Sequence, residues 1–199
     1  MRARQWILMA FAGLLGFSVA ALCVVYAVSL LSPVRGTAAS TQIGGPFTLV
    51  DDTGVTVTEK AIGGKPYAMY FGYTFCPDVC PTTLLDLSRW IKKLGPDADK
   101  VNYVFVTVDP ERDTVQSMHD YLSAFDKRIR GCTGTLSEIA QIAKEYRVYY
   151  KKVPADGGGY TMDHSSIIYL MGPDGKFVAP IRPDESSTEI AADLSRLMS

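Results

Sequence analysis

A chain of 199 residues has room for one folded domain plus a short appendage. A formal net charge of −1, with no long run of like charge, excludes the electrostatic footprint of a nucleic-acid binder. Of its four cysteines only Cys76 and Cys80 are close in sequence, which excludes a disulfide-stapled scaffold and points to redox or metal chemistry.

Residues 6–31 contain no Asp, Glu, Lys or Arg. As a helix they would extend roughly 39 Å at about 1.5 Å per residue. That exceeds a hydrocarbon core of about 30 Å, so the segment can span a membrane with tilt. A cleaved signal would carry a shorter apolar stretch, roughly 7–15 residues, so the reading is a retained anchor. Arg2 and Arg4 precede it and only Arg35 follows closely. The positive-inside rule then puts residues 1–5 in the cytoplasm and the rest across the membrane. Cys23 reads as a small apolar residue of that helix. Residues 32–45, rich in Ser, Thr, Ala and Gly, read as a linker to a domain over residues 46–199.

The domain opens with two β-rich runs, residues 47–50 and 55–57, around a turn containing Gly54: a hairpin. Residues 67–73 are almost continuously apolar, as in a strand covered on both faces. After Pro81, Leu84, Leu87, Ile91 and Leu94 recur at helical spacing, and Gly95-Pro96 ends the helix. Residues 101–108 form a second buried-type strand. Strand, helix, strand implies a parallel crossover. Beyond a polar loop, Thr114 can cap a helix to about residue 125, and residues 129–132 form a short strand. Thr135 and Glu138 make a capping box for a helix to about residue 146. Residues 148–153 read as extended and 154–159 as a flexible glycine-rich loop. Residues 165–171 and 176–181 read as strands joined by a turn at 172–175. A second capping box at Ser186 and Glu189 opens a C-terminal helix. The pattern is an α/β, thioredoxin-like fold with an N-terminal hairpin, preceded by a single transmembrane helix.

The chemistry centres on Cys76 and Cys80. Proline is tolerated in the first turn of a helix but not deeper, so Pro81 places the helix start beside Cys80. If residues 76–80 make one helical turn, the two sulfurs share a face. The positive end of the helix favours thiolate. Such a pair can close a disulfide or grip a soft metal ion. An iron–sulfur cluster or closed zinc site wants four ligands, and covalent haem wants a histidine where Pro81 stands. Copper fits two sulfurs plus one imidazole. Of the two histidines, His164 lies between the glycine-rich loop and a strand, where this fold returns toward the reactive turn; His119 lies mid-helix among polar residues. Asp163 is a candidate to orient His164, Asp78 to tune the charge, and Met162 is a soft donor nearby. Cys132 reads as a buried small hydrophobe.

The segments Tyr73-Thr-Phe-Cys-Pro-Asp-Val-Cys-Pro-Thr82, Val106-Thr-Val-Asp-Pro-Glu-Arg-Asp-Thr114 and Asp163-His-Ser165 resemble the Sco/SenC family. The resemblance covers roughly residues 43–198. It implies a membrane-anchored, thioredoxin-fold copper metallochaperone in the bacterial inner membrane, its soluble domain in the periplasm. It also implies copper, as Cu(I) and as Cu(II), held by Cys76, Cys80 and His164. The implied partner is the CuA-bearing subunit of cytochrome c oxidase, with other periplasmic copper chaperones or thiol reductases as further partners. The alternative is a thiol–disulfide oxidoreductase in which Cys76 and Cys80 keep the CuA-site cysteines reduced; a peroxidase is a weaker third reading.

Overall fold

The computed structural model describes residues 42–155 and 157–182, together with Tyr26, Ile190 and Leu197. The expected anchor (apart from Tyr26), most of the linker and the capping box at Ser186 lie outside the described residues. Among the described residues no helix is long and apolar enough to cross a membrane.

The elements run β1 (Thr48–Asp51), β2 (Thr56–Thr58), α1 (Glu59–Ile62), β3 (Tyr67–Gly72), α2 (Val79–Leu94), a 3-10 turn (Gly95–Lys100), β4 (Asn102–Thr107), α3 (Val115–Leu122), β5 (Ile129–Thr133), α4 (Leu136–Glu145), β6 (Tyr150–Pro154), β7 (Tyr160–His164), β8 (Ile168–Met171) and β9 (Phe177–Ile181). The main sheet has seven strands in the order β2-β1-β5-β4-β3-β8-β9. β3 pairs in parallel with β4, and β4 with β5, whereas β8 runs antiparallel to β3 and β9 to β8. This is the expected thioredoxin-like arrangement.

All six residues of β3 are buried, which accounts for its unbroken apolar sequence. Its two faces meet different layers. On one, Tyr70 stacks on Phe105 and Phe105 reaches Tyr121 of α3. On the other, Phe71 packs against Tyr146, just past α4, and against Tyr169 of β8. Helix α2 buries Leu84, Leu87 and Ile91 of the stripe read from the sequence, and its fourth member, Leu94, is half-buried. Each such side chain contributes about 1.5–3 kcal/mol of burial, so this face, rather than helix propensity, fixes α2 on the sheet. Thr114 caps α3, and the Thr135–Glu138 capping box opens α4, as expected.

The segment before His164 differs from expectation. Residues 160–164 form β7, which pairs with β6 as a separate two-stranded sheet, with Tyr150 opposite His164. Three successive glycines, Gly157, Gly158 and Gly159, take positive φ in its connection, a conformation that side chains with a Cβ disfavour. β8 starts only at Ile168. His164 therefore ends a hairpin strand instead of opening a strand of the main sheet.

Candidate metal centre

Cys76 lies on the turn after β3 and Cys80 in the first turn of α2. Asp78 is the residue at the helix N-cap position, but its side chain makes no capping bond. The Cys76 sulfur does so instead, accepting from the Cys80 N–H at 3.3 Å. Helix N-termini leave their first N–H groups unpaired and carry partial positive charge, so a sulfur here is well placed as an anion. Pro81 removes only an N–H of that first turn, which an α-helix leaves without a partner anyway.

His164 comes from β7. Its Nε2 lies 3.4 Å from Cys80 Sγ, and its Nδ1 lies 3.0 Å from the Ser165 carbonyl oxygen. A carbonyl only accepts, so Nδ1 carries the hydrogen. In the neutral imidazole Nε2 then presents a lone pair toward the sulfurs. The rings of Tyr73 and Tyr70 stand edge-on to the imidazole at 5.7 and 6.5 Å. One ligand atom from each of Cys76, Cys80 and His164 lies within 4.8 Å of the others.

The three sequence candidates thus meet in one place. Among the described residues no other group of three His, Cys, Asp or Glu side chains comes together in this way. Cys132 is not a member: it is fully buried in β5, and burial pushes its thiol up to about 12. His119 is exposed on α3, 3.6 Å from Asp52. Asp163 does not orient His164, since the Ser165 carbonyl takes that role. Adjacent residues of a strand point to opposite sides, and Asp163 is exposed. Asp78 is exposed too. Met162 is buried and lines, with Tyr73, Cys76, Pro77 and His164, an open cavity of about 300 Å³.

The two thiols are unequal. The hydrogen bond from Cys80, with the backbone N–H groups of the turn, pulls Cys76 well below the ordinary thiol range against the effect of its burial. The same hydrogen bond to Cys76, together with burial, pushes Cys80 up. In the free pair Cys76 is therefore the more acidic sulfur.

One loop, legible in the sequence only as a polar stretch after a strand, ties the halves of the site together. Asp113 is fully buried and accepts from the Thr74 N–H (3.0 Å), the Thr74 hydroxyl (2.6 Å) and the Thr107 hydroxyl (2.6 Å), which fixes the start of the cysteine turn to the end of β4. Arg112 pairs with buried Asp109, donates to the Tyr160 carbonyl (3.0 Å) and lies over the Tyr160 ring at 3.9 Å. Tyr160 donates in turn to Asp109 at 2.8 Å, and the Tyr73 and Thr161 hydroxyls are 2.7 Å apart. Residues 109–113 thereby hold both the cysteine turn and the hairpin that carries His164. Gly72 is a further missed residue. A Cβ there would stand 2.8 Å from Cys80 Sγ and 2.7 Å from the Phe105 ring, so only glycine lets the sulfur seat on the sheet.

A thioredoxin-like domain that brings two thiols and an imidazole together beside an open cavity is defined by its site as a thiol or soft-metal protein. The SCO1/SenC family model matches residues 35–199, and the chain belongs to that family. Protein SCO1 homolog 1, mitochondrial, of Arabidopsis thaliana is 46% identical over 147 residues, 73% of this chain and 43% of its own length. The human Protein SCO1 homolog, mitochondrial, is 38% identical over 162 residues, 78% of this chain and 53% of its own length. The chain thus spans about half the length of these curated relatives. Bradyrhizobium japonicum ScoI, solved with copper bound, is 53% identical with a TM-score of 0.73 over 78% of this chain and 99% of that one. Copper-bound yeast Sco1 is 37% identical, also with a TM-score of 0.73, over 79% and 90%. BsSco, described as having a disulfide switch and as a member of the Sco family of cytochrome c oxidase assembly proteins, is 25% identical with a TM-score of 0.66 over 80% and 95%.

Proposed function

We propose that this domain carries copper through Cys76, Cys80 and His164 and delivers it to the CuA-bearing subunit of cytochrome c oxidase. The observation that carries this reading is the convergence of two sulfurs and one imidazole nitrogen within 4.8 Å beside an open cavity. Thiolate and imidazole donors suit Cu(I), and the imidazole also suits Cu(II). Three protein donors leave a position from which an acceptor's ligand can enter, so copper can pass by stepwise ligand exchange. Copper-bound relatives with the same fold support the choice of metal. The stated family role of BsSco supports the oxidase as recipient.

In the same reading the chain is anchored by residues 6–31 in a bacterial inner membrane, with residues 1–5 cytoplasmic and residues 32–45 tethering a periplasmic domain. Resistance of the full chain to carbonate extraction, with the domain open to protease from the periplasmic side, tests this arrangement. Release by carbonate would refute it.

The inequality of the two thiols favours a second activity, thiol–disulfide exchange. The Cys76 thiolate attacks a disulfide of the target, giving a mixed disulfide and a target thiolate. Cys80, its proton passing to the first released target thiolate, then attacks the Cys76 sulfur, releasing the second target thiolate and closing the Cys76–Cys80 disulfide. Two electrons pass to the target. His164→Ala separates the two roles. Copper delivery requires the imidazole, so the variant fails to restore CuA assembly in a deletion strain. Full restoration by His164→Ala, with failure of Cys76→Ala and Cys80→Ala, would leave thiol reduction as the function.

A further inference from the structure

The three parallel strands β3, β4 and β5 begin and end on different chemistry. Their C-terminal ends carry the cysteine turn and the loop at residues 109–113. Their N-terminal ends are fed by three separate basic segments. Lys65 precedes β3, Lys92, Lys93 and Lys100 lie in the last turn of α2 and the 3-10 turn before β4, and Lys127 and Arg128 precede β5. Three carboxylates, Asp97, Asp99 and Asp126, share this end. Lys100 pairs with Asp97 at 2.7 Å, and Arg128 with Asp126 at 2.9 Å and Asp99 at 3.4 Å. The Lys65 ammonium donates only to the Asp99 carbonyl oxygen, at 3.0 Å. Lys92, Lys93 and Lys127 are exposed and make no ion pair among the described residues. The neighbouring charges, Glu59 with Lys60 and Asp174 with Lys176, balance. In a chain of net charge −1, this end thus holds a clear positive excess. Lys92 and Lys93 suit the negative end of α2. Lys65 and Lys127 lie on other segments, so helix electrostatics do not account for the cluster. The chain also enters the domain at this end: Gln42, Gly44 and Pro46 line an open cavity with Gly64, Gly175 and Tyr67, the first residue of β3.

We infer that this basic end is a docking surface for anionic phospholipid headgroups. The inference rests on the anchoring reading above, in which residues 32–45 tether the domain to a bilayer; that tether joins the domain at the basic end. Each lysine close to an anionic lipid surface favours the docked state about fivefold. Three unpaired lysines therefore suffice to hold a domain that its tether already confines near the bilayer. No shaped pocket is needed, because ammonium groups on long stems meet phosphates as point charges. The attraction fades beyond a Debye length, about 8 Å at physiological ionic strength. The metal site stands at the other end of β3, about 20 Å along the strand. Docking by the basic end therefore leaves Cys76, Cys80 and His164 clear of the headgroups and open to an acceptor.

The test reconstitutes the full chain in nanodiscs of phosphatidylcholine, with or without phosphatidylglycerol. Lysines are acylated with a succinimidyl ester and mapped by mass spectrometry. Lys65, Lys92, Lys93, Lys100 and Lys127 react about threefold or more slowly in the anionic discs. Lys151 and Lys152, on the hairpin that carries His164, react equally in both. High salt abolishes the difference. A triple variant, Lys92→Glu, Lys93→Glu and Lys127→Glu, loses the slowing at Lys65 and Lys100. Its melting temperature stays within about 2 °C of the unmodified chain, since all three side chains are exposed. Equal rates at the basic end in the two lipids, or equal slowing of Lys151 and Lys152, would overturn the inference while leaving the anchoring reading intact. Failure of the chain to enter either kind of disc would overturn both.

Discussion

Cys80 Sγ and His164 Nε2 lie 3.4 Å apart although 84 residues separate them in the chain. Neither element could hold this distance alone. Helix α2 sets the sulfur, and the β6–β7 hairpin sets the imidazole. The loop at residues 109–113 bonds to both the cysteine turn and the hairpin. A site divided in this way can be loosened from either side without unfolding the core.

Removing the imidazole is the first test of that division. His164→Ala takes away a donor atom itself, so copper affinity falls by more than the roughly 10–100-fold that loss of an outer hydrogen-bond partner costs. The domain keeps its melting transition within a few degrees, because His164 ends a two-stranded sheet outside the main one. Calorimetric titration with copper and thermal melting measure the two effects. Unchanged affinity would remove His164 from the ligand set.

The inequality of the thiols gives a pH profile. Because Cys76 is lowered, it stays a thiolate across neutral pH and gains its proton only as pH falls far into the acid range. Cys80, raised, stays protonated. In reduced, metal-free protein, iodoacetamide therefore labels Cys76 at a rate nearly flat from about pH 6 to 8, and Cys80 is labelled far more slowly. An ordinary thiol of pKa about 8.5 would instead speed up nearly tenfold per pH unit over that range. Peptide mapping of the labelled sulfur distinguishes the two profiles.

What was legible in the sequence was local. The stripe Leu84, Leu87, Ile91 and the Thr135–Glu138 capping box each depend on residues three or four apart, and both appear in the structure as expected. Of the β6–β7 hairpin only β6 was legible, as the extended residues 148–153; β7 and the pairing were not. Lys151, Lys152 and Asp163 are exposed and only Met162 is buried, so no alternation of apolar and polar residues marks it. Cys76, Cys80 and His164 could be named because cysteine and histidine are scarce and chemically distinctive. Their supports could not. Gly72 and Asp113 act through contacts across the fold, and the hydrogen bond that orients His164 comes from a backbone carbonyl, which has no residue signature.

Gly72→Ala forces a Cβ into the space shared by Cys80 Sγ and the Phe105 ring. Overpacking of a buried site costs about 1–3 kcal/mol. Here the displaced groups include a sulfur of the site, so stability and copper affinity fall together. Parallel urea titrations and chelator competition read both. Normal copper affinity in a destabilised Gly72→Ala protein would show that the sulfur does not depend on this seat.

The last prediction separates the ties of the hairpin. Lys152 pairs with Glu111 and Arg112 with Asp109, but the first pair is exposed, with side chains 46% and 44% accessible, whereas Asp109 is only 1% accessible. Exposed pairs contribute about 0–1 kcal/mol. Arg112 adds a bond to the Tyr160 carbonyl and the stack over its ring, the latter alone worth about 0.5–2 kcal/mol in a partly desolvated setting. Arg112→Met also leaves buried Asp109 without its cation, a loss that costs several kcal/mol when complete. Amide exchange at residues 160–164 should therefore accelerate strongly in Arg112→Met and hardly at all in Lys152→Ala, and copper affinity should weaken only in the former. Exchange of β3 and β4, in the centre of the sheet, stays slow in both. Equal acceleration in the two variants, or none in Arg112→Met, would mean that the hairpin is held by something other than this loop.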